Sequence, residues 1–202
     1  MARTVIAIKR SRNDTSRKTN CLSGNEVEFT GDLIEEPQYL SGVLEFIRQI
    51  PCPVYGIPGN HDWCQKDFTP IFRAFAQTGG RWLMDESLLV CNGLLELLGW
   101  KRFGPGPIPA PQAPKRILMT HFPELADQTN GHTFDLILAG HSHGGQIRIP
   151  FYGPLIQFYG VGRYDLGFYK TPGGPLYVNP GIGTYILPWR FNCRPEITLI
   201  EI

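Results

Sequence analysis

The sequence has no hydrophobic run near the roughly 18 residues that a membrane-crossing helix needs, and its first thirty residues lack the apolar stretch of a secretory signal. An excess of either charge is missing too. Nineteen Lys and Arg stand against 18 Asp and Glu, a net charge of +1, whereas a dedicated nucleic-acid binder usually carries a marked basic excess. Cysteine is sparse. The five residues Cys21, Cys52, Cys64, Cys91 and Cys193 are odd in number and form no CxxC, so isolated thiols in a reducing cytoplasm fit better than a disulfide framework. There is no internal repeat. What remains is a 202-residue chain with 42% hydrophobic and 18% charged residues. That excludes wholesale disorder. Such a chain buries roughly 70% of its unfolded surface without disulfide staples, which suits one domain with or without an appendage.

The even balance conceals an uneven distribution. Residues 1–20 hold six basic side chains, Arg3, Lys9, Arg10, Arg12, Arg17 and Lys18, and one acid, Asp14, a local +5 against −4 elsewhere. From Lys9 to Gly24 only Cys21 and Leu22 are apolar, so no buried helical face is encoded there. Residues 1–26 read as a basic arm, either solvated or meeting anionic lipid or nucleic acid. Residues 27–202 read as the domain.

Within that domain strand and helix alternate. Val27–Phe29 is a short strand ending at Gly31-Asp32. Pro37 suits a first helical position, and Leu40, Val43, Leu44 and Ile47 then lie on one helical face. Residues 53–57 form a strand that runs into Pro58-Gly59-Asn60-His61-Asp62. Thr69-Pro70 opens a second helix through Gln77, stopped by Gly79-Gly80. Two apolar strands, 88–91 and 94–98, flank the hairpin signal Asn92-Gly93. Residues 104–114 are a Pro/Gly loop that excludes helix and central strand. Arg116–Thr120 is a strand ending at His121, and Phe134–Ala139 one ending at Gly140-His141-Ser142-His143. Beyond Pro150, Leu176–Val178 and Ile197–Ile200 read as strands.

The chemistry gathers at strand ends. Asp32, Asn60-His61-Asp62, His121 and His141-x-His143 each follow an apolar strand directly, and in α/β sheets ligand sites form beyond the carboxyl ends of strands. Four of the five histidines fall in these clusters; His132, in a polar loop, reads as merely exposed. Imidazole, carboxylate and amide oxygen together suit Mn, Fe or Zn better than Ca or Mg. Gly31, Gly59, Gly140, Gly144 and Gly145 permit tight backbone paths around such a site. Two cations about 4 Å apart hold phosphate oxygens and a hydroxide between them. Asp32 suits the bridging carboxylate, and Asn60 a neutral oxygen ligand. His61 is then left as an acid toward the leaving group, with Asp62 orienting it and favouring its imidazolium. The aromatic-rich stretch with Phe151, Tyr152, Phe158, Tyr159, Tyr164, Phe168 and Tyr169 suits either an apolar substrate cleft or ordinary core and turns.

These strings carry a resemblance. GDLIEE at 31–36, GNHD at 59–62, THFPE at 120–124 and GHSHGGQ at 140–146 resemble the successive motifs of the calcineurin-like metallophosphoesterases, over roughly residues 27–202. GHSHGGQIRIP, LYVNPGIGT and PWRFNCRPE are similar to a bacterial branch, some members of which cleave the pyrophosphate bond of UDP-2,3-diacylglucosamine in lipid A synthesis. The resemblance implies a four-layer α-β-β-α sandwich of two mixed sheets. It implies that Asp32 bridges two divalent metals, that Asn60, His121 and His141 complete one, that His143 binds the other, and that His61 is catalytic. The expected activity is hydrolysis of a phosphate ester or pyrophosphate on a small-molecule or lipid substrate, in the cytoplasm or at the inner membrane.

One part of the pattern is absent. The family's Asp-x-His at the end of the first strand has no counterpart, because the candidate strand Thr4–Ile8 runs into Lys9-Arg10-Ser11-Arg12 and no His precedes His61. The helix expected between that motif and Gly31-Asp32 is missing as well, leaving the N-terminal strand–helix unit incomplete. The expectation is one complete metal site (Asp32, Asn60, His121, His141) and a second reduced to Asp32 and His143. Either the start of the sequence is not the true one, or the protein has drifted to one metal or none and acts as a binding module.

Overall fold

A computed structural model describes residues 5–9, 25–100 and 107–201. Of the expected arm, residues 1–4 and 10–24, with Asp14, lie outside the described residues, as do the first residues of the Pro/Gly loop; residues 5–9 and 25–26 are strand.

Two mixed sheets stack face to face. The first has five strands in the order β13-β1-β2-β3-β4: β1 (Val5–Lys9), β2 (Asn25–Phe29), β3 (Val54–Gly56), β4 (Arg81–Trp82) and β13 (Ile197–Glu201). The second has six in the order β11-β12-β8-β7-β6-β5: β5 (Glu86–Val90), β6 (Leu95–Gly99), β7 (Lys115–Met119), β8 (Leu136–Ala139), β11 (Gly167–Thr171) and β12 (Gly174–Val178). A small antiparallel ribbon, β9 (Arg148–Ile149) with β10 (Gly153–Pro154), stands apart. In the second sheet β6, β7, β8 and β12 run parallel, with antiparallel strands at both edges.

The central strands are mostly apolar because both faces are buried; the buried exceptions Glu96 in β6 and Arg116 in β7 pair at 2.8 Å. Leu97, Ile117, Met119 and Leu138 pack with Tyr55 and Ile57 between the sheets. Leu98, Leu118, Ile137 and Val178 face the other way, with Trp100, Phe122 and Tyr164. The third cluster covers the outer face of the first sheet. There α1 (Leu40–Arg48) and α2 (Thr69–Gln77) bring Val43, Leu44, Ile47, Ile71 and Phe75 onto Phe29, Val54 and Trp82.

Both helices follow their sequence signals. Pro37 opens a single 3-10 turn that leads into α1. The end of α2 is a Schellman motif: Gly79, at φ 85°, donates to Ala76 O at 3.0 Å and Gly80 to Phe75 O at 3.2 Å. Asn92 and Gly93 hold φ 55° and 81° in the hairpin turn, the sign that a type I′ turn demands. The strands stop one residue short of the expectation on each side, because Cys91 and Leu94 join the turn.

Three differences from the sequence reading have physical causes. The outer face of the second sheet is covered, among the described residues, by a 3-10 helix (Pro123–Asp127) and aperiodic chain instead of α-helices. The short strands β4, β9 and β10 are too brief to carry a periodicity, and β11 lies in a Gly/Pro-rich stretch read as turns. β1 pairs antiparallel with β2, Lys9 opposite Asn25. A parallel pair needs a crossover of a dozen or more residues, usually helical, and the intervening segment encodes no helical face. The carboxyl end of β1 therefore lies at the end of the sheet remote from Asp32.

Phe75 is fully buried, edge-on to Trp82 at 4.9 Å and to Phe29 at 6.1 Å. Phe75→Ala should cost about 3–5 kcal/mol by loss of contacts and an unfilled cavity, measured by urea denaturation.

Candidate metal centre

Asp32 follows β2 through Gly31, Asn60 and His61 follow β3, His121 follows β7, and His141 and His143 follow β8. The first two strands belong to one sheet and the last two to the other. The carboxyl ends of both sheets thus meet at one seam, and six of the seven residues singled out from the sequence, all but His121, line the cleft there or, as Asp62 does, lie beneath it.

The approach is close. A Cβ on Gly59 would stand 2.3 Å from Asp32 Oδ1 and 2.7 Å from His121 Cε1, so only glycine lets this loop pass. Asp32, His141 and His143 all hold left-handed backbone, at φ 54°, 62° and 50°. Strained backbone of this kind clusters at ligand-binding sites.

Around His121 Nε2 lie Asn60 Oδ1 at 3.0 Å, His141 Nδ1 at 3.1 Å and Asp32 Oδ2 at 3.4 Å. The other nitrogen of His121 is 2.7 Å from Thr30 O. A carbonyl only accepts, so Nδ1 carries the proton and the neutral ring points a lone pair from Nε2. His141 is fixed the same way: Nε2 donates to Tyr159 O at 2.7 Å, leaving Nδ1 as a lone pair. With His121 neutral, four acceptors therefore meet with no proton among them. A proton on His121 serves one neighbour at a time; a cation serves all four. Ligand atoms of Asp32, His121 and His141 lie within 4.8 Å of one another, and backbone carbonyls hold the outward imidazole nitrogens as they do for metal-bound histidines. The donor set fits a divalent transition metal.

The electrostatics follow from burial and these neighbours. Burial pushes the Asp32 carboxyl up, but the imidazoles of His121 and His61 and the hydrogen bonds to them outweigh it, and the group stays well below the usual carboxylate range. Burial pushes His121 down, and Asp32 more than reverses it, so its proton is held above the ordinary 6.5. His141 is pushed down to about 3 by burial and then by His121. Asp62 is pushed up to about 7 by burial and by Asp32.

Asp62 differs from its sequence reading. Its carboxylate accepts from Ile34 N–H at 3.1 Å and Gly59 N–H at 2.8 Å, clamping the loops that carry Asp32 and Asn60. Its oxygens are spent on backbone amides, and the His61 ring instead stands edge-on to Tyr185 at 5.2 Å. The His61 backbone N–H donates to Asp32 Oδ1 at 2.9 Å. His143 lines the cleft but lies outside the tight group of ligand atoms. His132 is half-buried and its N–H donates to Thr129 O; it lies on the approach to β8, away from the cleft.

The cleft has a volume of about 300 Å³, and Phe122, Phe158, Tyr159 and Tyr185 form its apolar walls. Of the aromatic-rich stretch, Phe158 and Tyr159 line it, Tyr164 is core, and Phe151, Tyr152 and Phe168 are exposed. Tyr185 could not be singled out from sequence, because no local pattern marks it. It reaches the cleft because Gln146 Oε1 accepts its backbone N–H at 2.7 Å.

Two stacked sheets thus build a candidate divalent-metal site at their strand ends. Residues 18–145, more than half of the chain, match the calcineurin-like phosphoesterase family, and the chain belongs to it. It is 33% identical over 207 residues to the uncharacterized metallophosphoesterase YkuE of Bacillus subtilis, covering 92% of this chain and 72% of that protein. It is 28% identical over 159 residues to the phosphodiesterase YaeI of Escherichia coli, covering 74% of this chain and 58% of that protein. No solved structure matches the chain significantly. Among the described residues no helix is long and apolar enough to cross a membrane, and Cys52, Cys64, Cys91 and Cys193 are free thiols.

Because His121 holds a proton above pH 6.5, protons compete with a metal for Nε2. Metal affinity should rise with pH through that raised value and level off above it, with proton release on binding. Calorimetric titration with Mn in two buffers of different ionisation enthalpy measures both.

Proposed function

We propose that this chain hydrolyses a phosphodiester or pyrophosphate bond in a substrate with an apolar, lipid-like part. UDP-2,3-diacylglucosamine, the substrate of some members of the branch that the motifs resemble, is one member of that class. Asp32, Asn60, His121 and His141 would hold a divalent cation, and His143 lines the cleft beside them. A bound divalent cation neutralises phosphoryl oxygens and acidifies water. His61, at the cleft beside Tyr185, gives a proton to the departing oxygen. Asp62 keeps the two loops in register. The observation that carries this reading is the convergence of Asn60 Oδ1, His141 Nδ1 and Asp32 Oδ2 on His121 Nε2, with the outer imidazole nitrogens held by backbone carbonyls. The aromatic walls support an apolar group beside the phosphate.

A second reading, a binding module with a single metal, draws on the fact that one group of tightly convergent His and carboxylate ligands is found among the described residues. Turnover of a soluble diester by metal-loaded protein separates the two.

Elemental analysis after dialysis should find about one tightly held transition metal per chain, since one set of four ligands converges. His141→Ala should lose metal and activity together. His61→Ala should keep the metal and lose roughly 10²–10⁴-fold in turnover. Equal metal loss in both variants would make His61 a ligand.

A further inference from the structure

Beside the cleft lies an exposed apolar surface that the chemistry above does not use. Phe151, Tyr152 and Ile156 project from one segment, and Ile186, Trp189 and Phe191 from another. The segments are joined: Ile147 bridges Phe191, Arg148 N–H donates to Phe191 O at 3.0 Å, and Gln146 Nε2 donates to Leu187 O at 2.7 Å. The same segments supply the cleft walls Phe158, Tyr159 and Tyr185, so the apolar surface runs into the mouth of the site.

Folding does not account for this surface. Phe151 is fully exposed and Ile186 is 78% exposed, so neither gains much by burial. Ile186 also holds φ 60°, a backbone region that β-branched residues disfavour.

Its charge selects an occupant. Residues 136–164 contain Arg148 and Arg163 and no acid, and residues 179–195 contain Arg190 and Arg194 and no acid, in a chain whose charges otherwise balance. Arg148 pairs with Asp165, and Arg190 donates to the carbonyls of His143, Pro180 and Gly183. Arg194 is exposed, and Arg163 is exposed beside Asp127 at 3.5 Å. Over residues 136–195 five cations stand against the single acid Asp165, and Tyr and Trp rings with such a surplus of cations match the interfacial and headgroup layers of an anionic bilayer. A second copy fits worse, since a two-fold contact through one patch opposes like charges.

We infer that this surface docks on an anionic lipid bilayer and holds the cleft mouth at headgroup level. For its purpose the inference rests on the lipid-linked reading of the site; the docking itself does not.

The test is co-sedimentation of the full chain with phosphatidylcholine vesicles, with and without phosphatidylglycerol, and quenching of tryptophan fluorescence by brominated lipid. The wild type should bind the phosphatidylglycerol vesicles, less so at high salt, and Trp189→Phe should lose most of the quenching. The double variant Phe151→Ser/Trp189→Ser should bind roughly tenfold or more weakly while keeping its circular dichroism and its turnover of a soluble diester. Undiminished binding by the double variant would assign the attraction to the basic arm and overturn the inference. So would failure of the wild type to bind, or wild-type self-association that the double variant abolishes. Binding is read without turnover, so an inactive chain that still docks upholds the surface while removing the catalytic reading.

Discussion

The contact on which the site depends is that of His121 with Asp32, 3.4 Å apart across the seam of two sheets. Each residue ends a strand of a different sheet, and neither is near the other in sequence. The Thr30 carbonyl beside Asp32 accepts from the far side of the His121 ring, so the same pair of loops that presents the carboxylate also fixes which imidazole nitrogen faces it. Gly59 lets the third loop lie against both, and Asp62 ties that loop to Ile34. A longer side chain at Gly59, or a rotated His121, would separate donors that chemistry needs together.

The arrangement costs stability in the absence of a cation. Acceptors crowd one point, three residues hold left-handed backbone, and the Asp62 acid sits in a fully buried position. Such strain persists only where packing over-determines it. Here the packing is the apolar layer between the sheets, where Tyr55, Ile57, Met119 and Leu138 lie just beneath the strand ends. A bound cation relieves the lone-pair repulsion and couples metal binding to folding.

The antiparallel β1 bears on the number of cations. Its carboxyl end faces away from Asp32, so the family's first motif has no strand end at the seam from which to act. Among the described residues one tight donor cluster is found, with His143 nearby.

The sequence by itself determined most of the strand and helix order, the two helical faces, the hairpin turn and which polar residues stand at the strand ends of the seam. All of these are written in local spacing and in polar residues placed directly after apolar runs. Asn92-Gly93 needs no tertiary partner to favour its turn, and Val43, Leu44 and Ile47 declare one face of α1. Tertiary structure alone decided which polar groups touch. It turned Asp62 from a partner of His61 into a clamp on two loops, because its buried oxygens met backbone amides first. It brought Tyr185 to the cleft through Gln146, and it ran β1 antiparallel to β2. Hydrogen-bond partners depend on how two sheets stack, and no spacing along one chain encodes that distance.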